Sequence, residues 1–198
     1  MARKRNEALR LQKRGIIIAA AEKQFASGGF ARTSITSVAQ EAGISHALIF
    51  TYFKSKEELI RAVVLEPLEE TLSAYRTLFK EAQDVLATLT RLVDLQAKQW
   101  LRRGTFLRVV QQVMGQPEQY PELTAAVYRY GEDFVTLLVP VIEEGQRAGV
   151  LAPGNAQVIG WTYFSYINGA GAIFPDEARL LAEATAGYAL RIFGFQEV

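Results

Sequence analysis

The chain of 198 residues contains no cysteine and a single histidine. Without cysteine there is no disulfide framework, no thiolate metal site and no cysteine nucleophile. The sequence also lacks an HExxH helix and a phosphate-binding glycine loop, and it shows no set of base, nucleophile or metal ligands. Carboxylate pairs such as Glu69-Glu70 and Glu143-Glu144 read as solvated helix faces. Enzymatic activity is therefore not expected, and neither is a cofactor. Long hydrophobic runs are missing too. No apolar stretch reaches the roughly 18 residues of a membrane-spanning helix. The opening MARKRNEALRLQKRG is charged but lacks the following apolar run, about 7–15 residues, of a secretory signal. A cytoplasmic protein without membrane contact is the expectation.

A strong charge of either sign is absent on average, since 22 Lys and Arg face 21 Asp and Glu for a net +1. The average hides an asymmetry. Residues 1–56 hold ten basic residues against three acidic, whereas residues 57–198 hold twelve against eighteen. A near-neutral chain with one basic end carries a local nucleic-acid footprint. About half of the residues are apolar, enough for a packed core.

The most informative stretch is 33–56, TSITSVAQEAGISHALIFTYFKSK. Ile35, Val38 and Ala39 form an i, i+3, i+4 apolar stripe opened by Thr33-Ser34, both good N-cap residues. Ala42-Gly43 ends that stripe, because glycine takes the positive φ of a helix terminus. Ser45 can cap again, with Leu48, Ile49, Phe50 and Phe53 following at helical spacing. Helix, glycine turn and second helix make a helix-turn-helix, which lays one helix in a DNA major groove. A helical hairpin inside an all-α core is the plainer alternative. Farther on, Ser55 with Glu58 forms a capping box, which sets Lys56 and free N–H groups at a helix start suited to a phosphate.

An ordered set of residues from 10 to 65 resembles the DNA-binding domain of TetR-type (tetracycline-repressor-like) transcriptional regulators. It runs through Ile17, Ala20-Ala21, Phe25, Gly28-Gly29-Phe30, Thr33-Ser34 and Val38-Ala39. It continues through Ala42-Gly43-Ile44-Ser45 and Tyr52-Phe53-Lys54-Ser55-Lys56-Glu57-Glu58-Leu59. The resemblance implies an all-α homodimer of about nine helices. A three-helix DNA-binding domain over 1–56, with a basic arm at 1–8, would precede a ligand-binding and dimerisation domain over 57–198. It also implies DNA contacts from Ser45, His46, Ala47 and Leu48 on the second helix, from Thr51, Tyr52 and Lys56 to phosphates, and from Thr36 on the preceding helix. His46 can hydrogen-bond a purine edge and Leu48 can meet a thymine methyl. Three positions depart from the family pattern: Ala47 stands for glycine or proline, Leu48 for a small hydroxyl residue, and Phe50 for tyrosine. Lacking the hydroxyl, Phe50 is assigned to the core.

The rest of the chain reads as helices throughout, with no sustained period-two alternation. The first helix is expected over about 7–26, after a disordered arm. A kink or break is expected near 63–67 at Pro67, and separate helices over 84–102 and from Gly104. Pro121 suits a first turn, Pro140 should bend its helix, and the final pair is placed at 156–174 and 176–195. Aromatic residues on these helices suggest a largely apolar pocket for a small hydrophobic or aromatic effector, formed by Trp100, Phe106, Tyr128, Trp161 and Asn168. Gln111, Gln112, Tyr128 and Asn168 are candidates for orienting hydrogen bonds. Leu181, Ala184, Tyr188 and Ile192, with the small residues Gly160, Gly169, Ala170 and Gly171, are candidates for the dimer interface. The expected function is a ligand-responsive repressor released from a palindromic duplex operator. A shape-reading architectural DNA-binding protein is the alternative, although it leaves the aromatic-rich second domain without a purpose.

Overall fold

The structure, a computed structural model, describes residues 2–173 and 187–195, with the side chains of 2–5, 100–103 and 170–173 excepted. Helices α1 (Ala2–Gly28), α2 (Ile35–Ala42), α3 (His46–Ile49) and α4 (Lys56–Lys80) come first, followed by α5 (Val85–Met114), α6 (Pro121–Arg147) and α7 (Ala156–Ile173). Residues 187–192 are helical as well. Among the described residues the only extended pairing is a single bridge between Leu151 and Phe195. No helix among them is long and apolar enough to cross a membrane.

The local chemistry accounts for the boundaries. Ser34 caps α2, its hydroxyl accepting from the Ser37 N–H at 3.0 Å, while the Ser37 hydroxyl accepts from the Ser34 N–H at 3.2 Å. Thr33, the other cap candidate, is buried and closes α1 instead, its hydroxyl shared between the Gly29 and Gln24 carbonyls. Gly43 ends α2 at φ 65°. Its N–H reaches the Gln40 carbonyl and the Ile44 N–H reaches that of Ala39, a Schellman ending that turns the chain toward α3. Asp84 caps α5 through the Ala87 N–H, and Pro121 occupies the first turn of α6 as expected.

Three local expectations are corrected. The basic arm is not separate from the first helix, because α1 begins at Ala2 and runs 27 residues. Pro67 does not break α4, which continues to Lys80, with the Thr71 hydroxyl donating to the Pro67 carbonyl at 2.6 Å. Pro140, expected to bend α6, lies inside that helix without interrupting it. Gly104 starts no new helix, since α5 is continuous over 30 residues. A single glycine costs a helix only about 1 kcal/mol relative to alanine, which packing on both sides outweighs.

Two hydrophobic cores result. The first joins Ile17, Ala21 and Phe25 of α1, Val38, Ile49 and Phe53 of the helix-turn-helix, and Leu59 and Val63 of α4. It also takes Phe106, Val109 and Val113 from α5 and Leu123 from α6, so it extends well past residue 56. The second unites Tyr75, Leu89, Leu92, Phe134, Leu138 and Tyr163 with Ala189 and Phe193. Helices α6 and α7 meet closely through small residues. A Cβ on Gly131 would lie 3.1 Å from the Phe164 ring, and one on Gly160 would lie 3.1 Å from Val135. Gly160, a candidate for contact between copies, therefore packs inside the protomer. Ionic and polar links lock α1 to the later helices. The Arg14 guanidinium pairs with both Glu66 oxygens at 2.5 Å while lying over the Phe53 ring at 4.9 Å.

Gly43→Ala isolates the backbone contribution to this turn, because nothing lies within 4 Å of the added Cβ. The left-handed conformation alone should cost about 1–2 kcal/mol. Urea denaturation of the variant against the parent chain measures this, and an unchanged midpoint would mean that the turn tolerates the side chain.

Candidate nucleic-acid interface and effector cavity

The outward face of the helix-turn-helix follows from what its inward face buries. Ile49 and Phe53 are fully buried, so the residues between and before them are turned outward. Thr36, Ser45, His46, Ala47 and Thr51 are exposed, while Leu48, Tyr52 and Lys56 are half-buried. The regular part of α3 is only four residues long. Tight turns, Thr51 N–H to Leu48 carbonyl and Tyr52 N–H to Ile49 carbonyl, carry the winding to Phe53. The Ser45 hydroxyl caps the start by accepting from the Leu48 N–H. Seven of the eight residues named for DNA contact thus lie within 45–56, and Thr36 stands in the first turn of α2.

Phe50 corrects an expectation. It is 45% exposed rather than core, and the His46 ring meets it edge-to-face at 5.0 Å. Residues 46 and 50 are one helical turn apart, whereas the buried pair is Ile49 and Phe53; periodicity alone did not separate the two faces. The helix start at Lys56 also differs from expectation. Ser55 accepts from the Glu58 N–H, and the Glu58 carboxylate accepts from the Lys54 N–H at 2.6 Å, one residue earlier than a regular capping box. The Glu57 carboxyl is held below its ordinary range by its own backbone N–H, then by Ser55 and Lys56. Acidic side chains already occupy this helix start. The Lys56 ammonium, which donates to the Ala31 carbonyl at 3.4 Å, and the exposed Lys54 two residues earlier are the cations there that can attract a phosphate.

Away from this face, α4, α5, α6 and α7 enclose a cavity of about 240 Å³. Of the five residues named for ligand contact, Phe106 and Asn168 line it. Trp161 does not: it abuts a shallow outer groove with Val139, Pro140 and Gln157, its ring edge-on to Phe164 at 5.7 Å. Tyr128 is 60% exposed on α6, one position past Val127, which does line the cavity. Trp100 lies in α5, but its side chain is outside the described residues. Gln111 is exposed, and Gln112 faces α1 instead, its amide donating to the Phe25 carbonyl at 2.9 Å. Sequence reasoning named none of Thr71, Tyr75, Gln96, Gln99 and Val110 for ligand contact, and all five line the cavity. Gln96, Gln99, Phe106 and Val110 recur at three- to seven-residue steps along α5, a helical signal that was available only if α5 was taken as one helix. Of the dimer candidates, Leu181 and Ala184 lie outside the described residues. Tyr188 is 59% exposed and Ile192 is half-buried.

A capped and glycine-turned helix pair, exposing polar and aromatic side chains beside an all-helical ligand-sized domain, defines a helix-turn-helix DNA-binding regulator. Comparison with known proteins makes the class specific. Residues 17–63 match the family model described as bacterial regulatory proteins, tetR family. The probable HTH-type transcriptional regulator ArpR of Pseudomonas putida is 26% identical over 182 residues, covering 87% of this chain and 86% of that protein. The TetR family regulator PfmR of Thermus thermophilus superposes with a TM-score of 0.72 at 25% identity, over 91% of this chain and 99% of that one. FadR of Bacillus subtilis, solved in complex with stearoyl-CoA, gives 0.63 at 18% identity, over 88% and 96%. Residues 17–63 thus match the tetR-family segment, and most of the chain is similar to transcriptional regulators of that family. The relatives the chain matches along most of its length are HTH-type transcriptional regulators.

Lys56→Ala should weaken binding about equally on every duplex and reduce the salt slope by roughly one unit. His46→Ala should cost about 1–3 kcal/mol at one base position and relax preference there. Titrations on a panel of single-base variants at several salt concentrations check both. Uniform loss from His46→Ala, with altered preference from Lys56→Ala, would reverse the two roles.

Proposed function

We propose that this regulator is a cytoplasmic repressor. It binds a near-palindromic duplex operator as a homodimer and leaves it when a small hydrophobic or aromatic effector enters the α4–α7 cavity. The observation that carries the reading is the position of α5. One continuous helix lines the cavity with Phe106, Leu107 and Val110 and holds α1 through Gln112 and Thr105. The Gln112 amide donates to the Phe25 carbonyl, and the Thr105 hydroxyl donates to the Glu22 carboxylate. An occupant that shifts α5 thereby acts on the helix-turn-helix without touching it. The effect on the operator equals the effector's differential affinity for the two arrangements.

In this reading Thr36, Ser45, His46, Ala47, Leu48 and Thr51 face the major groove, with Tyr52 and Lys56 at the phosphates. Two such faces on a dimer would sit one helical turn apart, about 34–36 Å. Phe106 and Asn168 stay as effector contacts; Trp161 and Tyr128 belong to the outer face of the same domain. The exposed Tyr188 supports a dimer interface on the C-terminal segment, with Ile192 beside it and Leu181 and Ala184 as its sequence-assigned partners. The division at residue 56 is one of function, since the core continues across it.

Selection from a random DNA pool should recover two-fold symmetric sites; asymmetric sites, or no enrichment, would sink the regulator reading as framed. Tyr188→Glu, which alters an exposed position, should give a folded monomer by analytical ultracentrifugation. A persistent dimer would place the interface elsewhere. Val110→Trp should fill the cavity and abolish the effector's release of the operator while leaving apo operator affinity within about threefold, a difference of less than 1 kcal/mol. Retained release would move the effector site out of the cavity.

A further inference from the structure

Polar groups in the cavity wall are few, and their hydrogen bonds are arranged with one polarity. Gln96 and Gln99 sit one turn apart on α5 and both line the space. The Tyr163 hydroxyl donates to the Gln96 carbonyl oxygen, and the Tyr75 hydroxyl donates to the Gln99 carbonyl oxygen at 3.4 Å. Tyr163 is fully buried, and that burial pushes its phenol well above the ordinary range. It therefore keeps its proton and remains the donor. With their carbonyls engaged, both glutamines present NH2 groups that have no acceptor among the described residues.

Apart from Tyr130, Asn168 and Thr71, whose hydroxyl donates to the Pro67 carbonyl, the remaining wall is apolar where it is described, with Phe106, Val110, Phe164 and Ile167 prominent. Asn168 turns its own NH2 back to the Phe164 carbonyl at 2.8 Å, so it adds no further donor to the space. A volume of about 240 Å³ falls below the usual range for drug-sized ligands, about 300–1,000 Å³. The occupant is therefore compact. An unmet donor facing an apolar ligand loses its hydrogen bonds to water without replacement, so the wall discriminates against a hydrocarbon.

We propose that the cavity selects a compact, mainly apolar molecule bearing a carbonyl oxygen, which accepts hydrogen bonds from the amide groups of Gln96 and Gln99. The proposal rests on the reading of this cavity as the effector site and names the chemistry of what enters it. A ketone and a carboxylate share that oxygen, and the test separates them.

The test is calorimetric titration of the full chain with indane, 1-indanone and 1-indanecarboxylate, which share one bicyclic body. In the parent protein 1-indanone should bind at least about tenfold more tightly than indane. In Gln99→Met, which keeps the side-chain length and removes the donor, that advantage should shrink severalfold while indane binding moves little. Gln96→Met combined with Tyr163→Phe removes both members of the buried pair, so neither partner is left orphaned, and should act in the same direction. Circular dichroism melts establish that each variant is folded. If the carboxylate binds more tightly than the ketone with the same glutamine dependence, the natural head group is ionised. Equal affinity of indane and 1-indanone, or a ketone advantage that survives both variants, overturns the proposal while leaving the cavity as a binding site. Absence of binding by all three compounds overturns the effector-site reading and the proposal with it.

Discussion

Helix α5 has to satisfy two hydrophobic cores at once, and most of the architecture follows from that constraint. Its first half gives Leu89, Leu92 and Val93 to the core shared with α6 and α7. Its second half gives Phe106, Val109 and Val113 to the core of the DNA-binding helices. From Val93 to Phe106 the helix covers about 20 Å at 1.5 Å per residue. In that interval Leu95 still packs against the second core, while Gln96 and Gln99 border the cavity. Burying a Phe, Leu or Val side chain contributes about 1.5–3 kcal/mol, so both ends of α5 are held firmly. A displacement at the cavity has few places to go except along the helix.

The DNA-binding face depends on this arrangement less directly. Its own geometry is local: serine caps, a glycine in the left-handed region, and buried Ile49 and Phe53 that turn His46, Ala47 and Thr51 outward. What the larger structure adds is the setting of that unit. Arg14 is fixed between Glu66 and the Phe53 ring, tying α1 to α4 behind α3. Its charge is spent on the fold and is not part of the surface that faces nucleic acid. The basic excess of the first 56 residues thus overstates the charge free to meet phosphates. Lys23, paired with Glu41 at 2.6 Å, is another deduction.

Polar atoms at the junction between α1 and α5 are similarly committed. Gln112 donates to Phe25, yet its carbonyl oxygen is buried with no partner, an arrangement that costs free energy unless it is offset by packing around it. The junction is therefore less tightly satisfied than either core.

Sequence alone determined the features that arise within a few residues of one another. Caps at Ser34, Ser45 and Ser55, the Gly43 turn, Pro121 at a helix start and the family-like residues from Ile17 to Leu59 were all legible, because neighbours along the chain fix φ, ψ and the first-turn hydrogen bonds. Helical periodicity gave the all-α class for the same reason. Tertiary structure decided the rest. Gly104 and Pro67 look like breaks locally, but packing on both sides outweighs their cost. Phe50 and Phe53 are chemically equivalent three residues apart, and only the position of α1 and α4 determines which one is buried. Tyr128, Trp161 and Phe106 are all aromatic residues on helices of one domain, yet their side chains point to solvent, to an outer groove and to the cavity. The rotation of each helix about its axis is set by contacts with other helices, which no local pattern encodes.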